Sequence, residues 1–372
     1  MLTVLSIIGT RPEAIKMAPV VRELARHPDR VRSIVCVTSQ HREMLDQTLG
    51  VFDVRPDIDL DVMRPEQELA TLTARLLTAL DPVVTDTRPD WIVAQGDTTT
   101  VLVAALVAYY RRTRFAHVEA GLRTGDRFRP FPEEMNRRVA DGFADLCFAP
   151  TEHSREALRR EGCPDERIVV TGNTVIDALL HVAARPYEWS AGPLAALPAA
   201  ARFVLITAHR RESFGAAFRQ MCEAVRDLAV AFAGDGVHFV YPVHLNPNVR
   251  RAVAETLEGV ANVSLLGPLD YVALVHLLKR SVLVLTDSGG IQEEAPSLGV
   301  PVLVMRDVTE RPEGVTAGVA RVVGTGRERI VAEASRLLRD PAARAAMASG
   351  VNPYGDGKAA ARIVAALLAR SS

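Results

Sequence analysis

Residues 281–301, SVLVLTDSGGIQEEAPSLGVP, join a β-branched apolar run to a pair of glycines and then to two adjacent carboxylates. An apolar run without polar alternation has the pattern of a strand covered on both faces, and the glycines mark a turn into a helix. Ser288, Gly289 and Gly290 would then offer backbone N–H groups at a helix start, where the peptide dipoles favour an anion. Glycine also lets a pyrophosphate approach the main chain closely. Glu293 and Glu294 would repel phosphate if they shared its place. Glu294 falls about one turn deeper, so it is expected to meet a neutral, hydroxylated part of the same ligand, as the acid of a dinucleotide site meets ribose. Glu293 is expected to be structural.

The same unit recurs along the chain. LTVLSII, SIVCVTS, WIVAQ, FAHVEA, LCFAP and IVVTG occupy the first half, and RFVLITA, VHFVYPV, NVSLLG, VLVLT, PVLVMRD and ARVVG the second. Helix-length periodic segments separate these runs, which predicts an α/β fold with parallel strands, twice over. A chain of 372 residues is long for one core and suits two domains. The Gly/Pro-containing stretch YEWSAGPLAALPAAA, 187–201, is the expected interdomain region, and KAAARIVAALLAR, 358–370, reads as a last amphipathic helix.

Composition narrows the function classes. Forty-four basic against 45 acidic residues leave a formal charge of -1, so no footprint for nucleic acid or an anionic membrane is present and small partners are expected. No segment approaches the length of a membrane span, and the N-terminal MLTVLSII lacks a basic leader. Cys36, Cys147, Cys163 and Cys222 show no metal-type spacing and suit buried thiols in a reducing cytoplasm.

In open parallel sheets ligands sit beyond the carboxyl ends of strands, so the first residues after each strand are the candidates. After the first strand GTRPEAIK places Arg11 at the tip of a helix opened by Pro12, with Lys16 about a turn in. This turn has no glycine fingerprint for a dinucleotide and would bind an anion through its cations. GDTTT puts Asp97 at a strand end, FAHVEAGLRT puts His117 and Glu119 at another, and PFPEEMNRR carries Glu133 and Glu134 in a first helical turn. Helix capping accounts well for Glu134 and poorly for Asp97 and Glu119. Acids gathered at one sheet edge are expected to repel each other, a condition suited to proton transfer. VLITAHRRESFG places His209 in a basic turn at a strand end, VYPVHLNPN places His244 one strand later, and TERPEG adds Arg311 as a phosphate partner.

The motifs GTRPEAIKMAPV, TSQHREMLDQTLG, GDTTT, HVEAGLRTGD, PEEMNRR, TGNTVIDALL, HRRESFG, YPVHLNPNV, TDSGGIQEEAPSLGVPVLVMRDVTERPE and NPYGDG together resemble the non-hydrolysing UDP-N-acetylglucosamine 2-epimerases over nearly the whole chain. The resemblance implies a glycosyltransferase-B-like fold of two Rossmann-like domains facing a central cleft, with the C-terminal helix crossing back to the first domain. Residues 1–172 with 355–372 would form the N-terminal domain carrying the acid/base residues, and 173–354 the C-terminal domain binding UDP. It implies a homodimer in the cytoplasm that converts UDP-GlcNAc reversibly to UDP-ManNAc for surface polysaccharides, without a nicotinamide cofactor or essential metal. Carried across by motif, Asp97, Glu119, Glu133 and His209 would be catalytic. Arg11, Lys16, Ser288, Gly289, Gly290, Glu294 and Arg311 would bind the nucleotide sugar. Gln40 and His244 match positions of a second, regulatory substrate site found in some relatives. A glycosyltransferase of the same architecture, an epimerase for a modified UDP sugar and a non-catalytic nucleotide-sugar sensor are the competing readings.

Overall fold

A computed structural model describes residues 1–38, 42–62, 64 and 67–370. The chain divides into two compact units, Met1–Ala178 with Tyr354–Ser372, and Leu179–Pro353. The division falls inside the helix Thr174–Ala183. The Gly/Pro-containing stretch 187–201 belongs wholly to the second unit, where Leu194 and Leu197 are buried.

The first unit holds β1 (Leu2–Ile8), β2 (Val31–Val37), β3 (Ile58–Asp59), β4 (Trp91–Gln95), β5 (Arg114–Val118), β6 (Leu146–Ala149) and β7 (Ile168–Val170). They lie in the order β3-β2-β1-β4-β5-β6-β7, each pairing parallel. Every residue of β4 is buried, as its unbroken apolar sequence requires of a strand with helices on both faces. β3 escapes sequence reading because two residues show no period. The helix Thr99–Arg111 presses Val103, Ala104, Ala105, Val107 and Ala108, all fully buried, into the core. The last helix, Ala359–Ala369, packs on the helix Arg11–Leu24. Asp177 accepts the N–H groups of Ala359 and Ala360 at 3.1 and 2.9 Å, so a distant side chain caps that helix start.

The second unit repeats the plan with β8 (Arg202–Thr207), β9 (Val237–Pro242), β10 (Val263–Leu266), β11 (Ser281–Thr286), β12 (Val302–Val304) and β13 (Ala320–Val322). Their order is β10-β9-β8-β11-β12-β13, again parallel. Phe218, Phe232, Phe239, Leu285 and Leu303 lie in its core. Among the described residues no helix is long and apolar enough to cross a membrane.

In both sheets the strand order reverses beside the first strand, at β1/β4 and at β8/β11. The connections leave in opposite directions there and open a crevice at the carboxyl ends. At β1 the crevice is tight: a Cβ on Gly9 would stand 2.5 Å from the Thr100 hydroxyl oxygen, so only glycine fits. Glu13, in the first turn of the following helix, is buried and accepts the N–H groups of Gly9 and Thr10. Burial pushes its carboxyl up to about 7, with the charge of Asp97 adding to the effect and the bonds from Gly9 and Thr10 opposing it.

This raised value makes Glu13 a pH-dependent cost. The folded state binds the proton more tightly than the unfolded chain, so stability falls as pH rises from about 4.5 to about 7, by about 3 kcal/mol in full. Glu13→Gln should therefore lose less unfolding midpoint between pH about 5 and 8 than the unaltered protein does. Equal losses in thermal unfolding curves would show that Glu13 does not titrate in this window.

Candidate functional site

In the first unit two carboxylates stand just beyond neighbouring strands. Glu119 follows β5 with φ at +67°, a left-handed conformation that costs a non-glycine residue energy and marks a site under constraint. Its carboxylate is buried, and Lys16 donates to both oxygens at 2.7 and 2.6 Å. Gln95, the last residue of β4, donates to it as well, and Asn173 does so at 3.3 Å. Asp97 follows β4. Arg137 lies 2.9 Å from its carboxylate, and Asn136 donates to its backbone carbonyl at 2.9 Å. With its side chain 31% exposed, Asp97 can reach a ligand.

The expected repulsion between acids is offset here by cations. Glu119 is matched with Lys16, and Asp97 shares Arg137 with Glu134, which lies 3.7 Å from that guanidinium, because an unpaired charge at a partly buried position would be too costly. Lys16 is accordingly engaged with a carboxylate in this unit. Arg11 stands half-buried at the start of its helix. Glu133 is half-buried on the first turn of the helix Glu133–Phe143, beside a fully enclosed Glu134. Glu134 accepts the N–H groups of Thr124 and Gly125 and so holds the preceding loop.

In the second unit the organising acid is Asp287, the first residue beyond β11 and fully buried. Its Oδ2 accepts the N–H groups of His209 and Arg210 at 2.8 and 2.7 Å, which ties the turn after β8 to the turn after β11. The His209 ring lies parallel to that of His244, with centroids 5.3 Å apart. Burial lowers the pKa of His209 below the ordinary imidazole value; nearby His244 and Arg210 add to the effect and Asp287 opposes it. The ring is neutral near pH 7 and able to accept or donate one proton.

Ser288 precedes the short helix Gly289–Glu294. A Cβ on Gly289 would lie 3.5 Å from the Arg311 guanidinium carbon and 3.6 Å from Nη2 of Arg210, so two guanidinium groups meet over this glycine. Arg311 donates through Nε to Glu293 at 2.5 Å, and Glu293 is itself buried. The Thr309 hydroxyl donates to Gln292 at 2.6 Å and accepts the Arg311 N–H at 3.1 Å, which fixes the loop bearing Arg311 to the helix. Glu310 lies 3.6 Å from both Arg210 and Arg311. Burial would raise its pKa, but Arg306, Arg210 and Arg311 hold it below the ordinary carboxylate value. Glu294 is buried and accepts the Tyr271 hydroxyl at 2.8 Å.

Sequence reading passed over Gln95, Asn173, Arg137, Arg210, Asp287 and Tyr271 as site members. Asp287 lies within the glycine stretch and Gln95 ends a strand run, so the strand-end rule could have found both. Tyr271 and Arg137 approach from helices remote in sequence and carry no such signal. Gln40 lies outside the described residues.

The chain is similar to known proteins over nearly its whole length. A family model for UDP-N-acetylglucosamine 2-epimerase matches residues 22–368. The UDP-N-acetylglucosamine 2-epimerases of Salmonella typhimurium and Escherichia coli are each 52% identical to the chain over 372 residues, 98% of either partner. The crystal structure of UDP-GlcNAc 2-epimerase from Neisseria meningitidis bound to UDP-GlcNAc is 43% identical with a TM-score of 0.88, covering 99% of this chain and 100% of that one. The chain therefore belongs to the UDP-N-acetylglucosamine 2-epimerase family, a family of isomerases.

Proposed function

We propose that the protein interconverts UDP-GlcNAc and UDP-ManNAc by eliminating UDP to give 2-acetamidoglucal and adding it back. The observation that carries this reading is the meeting of Arg210 and Arg311 over Gly289 at a helix start, a cradle for a pyrophosphate in a chain similar to an enzyme solved with UDP-GlcNAc. Backbone N–H groups of Gly289 and Gly290 hold the phosphates with Arg311, beside Ser288, whose own N–H donates to the Thr286 hydroxyl at 2.9 Å. Glu294, oriented by Tyr271, accepts ribose hydroxyls. Arg11 supplies a further cation, and Lys16 acts through the carboxylate it binds, Glu119. A homodimer in the cytoplasm suits this assignment, and sedimentation would test the oligomer.

The C2 hydrogen of a sugar with no adjacent carbonyl is too weakly acidic for direct removal. Breaking the C1–O bond solves this: the electron pair leaves with UDP, C1 gains oxocarbenium character, and the C2 proton becomes acidic enough for a carboxylate to take. Cations and backbone dipoles already aimed at the phosphates stabilise the departing charge. His209, neutral near pH 7, donates a hydrogen bond to the leaving phosphate oxygen. Return of UDP with protonation of C2 from the opposite face inverts the centre. Two acid/base groups are needed, and Asp97, Glu119 and Glu133 are the candidates.

Incubation with UDP-GlcNAc alone should yield UDP-ManNAc, and in deuterated water both epimers should acquire deuterium at C2. Asp97→Asn should slow that exchange by about 10²- to 10⁴-fold, the usual range for a lost general acid or base. Conversion without C2 label, followed by mass spectrometry, would rule out elimination.

Gly289→Ala tests the cradle separately. Its new methyl group would meet the two guanidiniums only at ordinary contact distance, so the fold should persist. In the complex the methyl group would stand where phosphate approaches, and KM for UDP-GlcNAc should rise by about tenfold or more. An unchanged KM would place the pyrophosphate elsewhere.

A further inference from the structure

His117 lies in β5, fully buried, and both of its ring nitrogens face acceptors. Nε2 is 2.7 Å from the backbone carbonyl oxygen of Gly96, and Nδ1 is 2.6 Å from Oδ1 of Asp141. A carbonyl can only accept, so Nε2 carries hydrogen. The other contact is decided by what surrounds Asp141. Its Oδ2 accepts the Gly121 N–H at 3.2 Å and Nη2 of Arg123 at 2.7 Å. A carboxyl that receives a guanidinium and a backbone amide on one oxygen is ionised, so Nδ1 must donate to the other.

The cluster extends beyond this pair. Arg123 also binds Glu161 at 2.7 Å, and Arg138 lies 3.2 Å from the other Glu161 oxygen, so the imidazolium and two guanidiniums face two carboxylates. Phe115 stacks on the ring with centroids 6.0 Å apart. Cys147 of β6 lies across from His117 in register and donates weakly to the Asp141 carbonyl. Glu119, two residues on, is held by Lys16.

We infer that His117 is a positioning residue, an imidazolium that clamps the Gly96 carbonyl and so fixes the turn bearing Asp97. Burial alone would strip the proton from this ring. The Asp141 charge and the bonds to Asp141 and Gly96 outweigh it, and the pKa is raised above the ordinary imidazole value. Asp141 moves the other way: burial would raise its pKa, but His117 and Arg123 hold it below the ordinary carboxylate value. The clamped turn is well fastened. Gly96 has φ at +90°, its N–H donates to Val118, its carbonyl accepts from His117, and Asn136 and Arg137 secure Asp97 from the far side. A neutral side chain at 117 would leave the Gly96 carbonyl or the Asp141 carboxylate without its donor, and the Asp97 carboxylate would shift from its place.

This inference rests on the acid/base role proposed for Asp97, and two measurements keep the readings apart. Nitrogen-resolved NMR of the intact enzyme at pH about 8, more than a unit above the ordinary imidazole value of about 6.5, should show protons on both ring nitrogens of His117. A single protonated nitrogen at that pH would overturn the imidazolium. His117→Asn cannot reach Gly96 and should lower kcat for C2 exchange by about 10²-fold with KM changed less than about threefold, as expected for a misplaced group. His117→Gln, whose amide nitrogen occupies the Nε2 position, should recover part of the loss. Equal changes in KM and kcat, or no advantage of Gln over Asn, would overturn the positioning role. Rapid exchange by Asp97→Asn would instead remove the Asp97 reading and leave the NMR result standing.

Discussion

Each unit is governed by the reversal of strand order in a parallel sheet. Beyond β1 and β4, and again beyond β8 and β11, the chain departs in opposite directions, and the turns that follow cannot cover one another. Backbone groups and side chains at those points must find partners in the turns themselves. Asp287 does this for the turns after β8 and β11, through two amide bonds from a fully buried carboxylate. Glu13 does it for the turn after β1. Removing either acid would leave amides without acceptors in a poorly solvated place, a loss greater than a typical hydrogen bond contributes.

Charge pairing is the second layer. Glu119 with Lys16, Asp97 with Arg137, Asp141 with His117 and Arg123, and Glu293 with Arg311 are opposite charges at short range. Such pairs add little net stability when compared with apolar packing, but losing one partner is costly. Their effect is to hold side chains in one geometry, which the proposed proton transfer and phosphate binding would both require. The two adjacent acids of residues 281–301 illustrate this. Glu293 carries the cation, and Glu294 takes its orientation from Tyr271, so adjacent carboxylates serve different neighbours.

Much of this was legible without coordinates. The apolar runs marked the strands from β1 to β13 apart from the two-residue β3, because a strand covered on both faces has no polar alternation to obscure it. Strand-end positions named Asp97, Glu119, His209, Ser288, Gly289 and Gly290 as candidates, because the carboxyl edge of a parallel sheet is where ligands gather. The expectation of mutually repelling acids holds at Glu13, whose carboxyl the Asp97 charge helps to raise, and is offset at Glu119 and Asp97 by cations. Their cations come from Lys16 in another connection and Arg137 in a later helix, and no local pattern announces a contact between residues 103 positions apart.

The amino-acid sequence by itself determined the α/β class, the repeated strand plan and the residue types at each strand end, since these follow from period, turn chemistry and burial of apolar side chains. Only the tertiary structure decided which charges are paired, which histidine carries two protons and which acid ties two turns together. Those outcomes depend on distances between groups far apart in the chain, and both Coulomb energy and hydrogen bonding fall off too steeply with distance to be read from order alone.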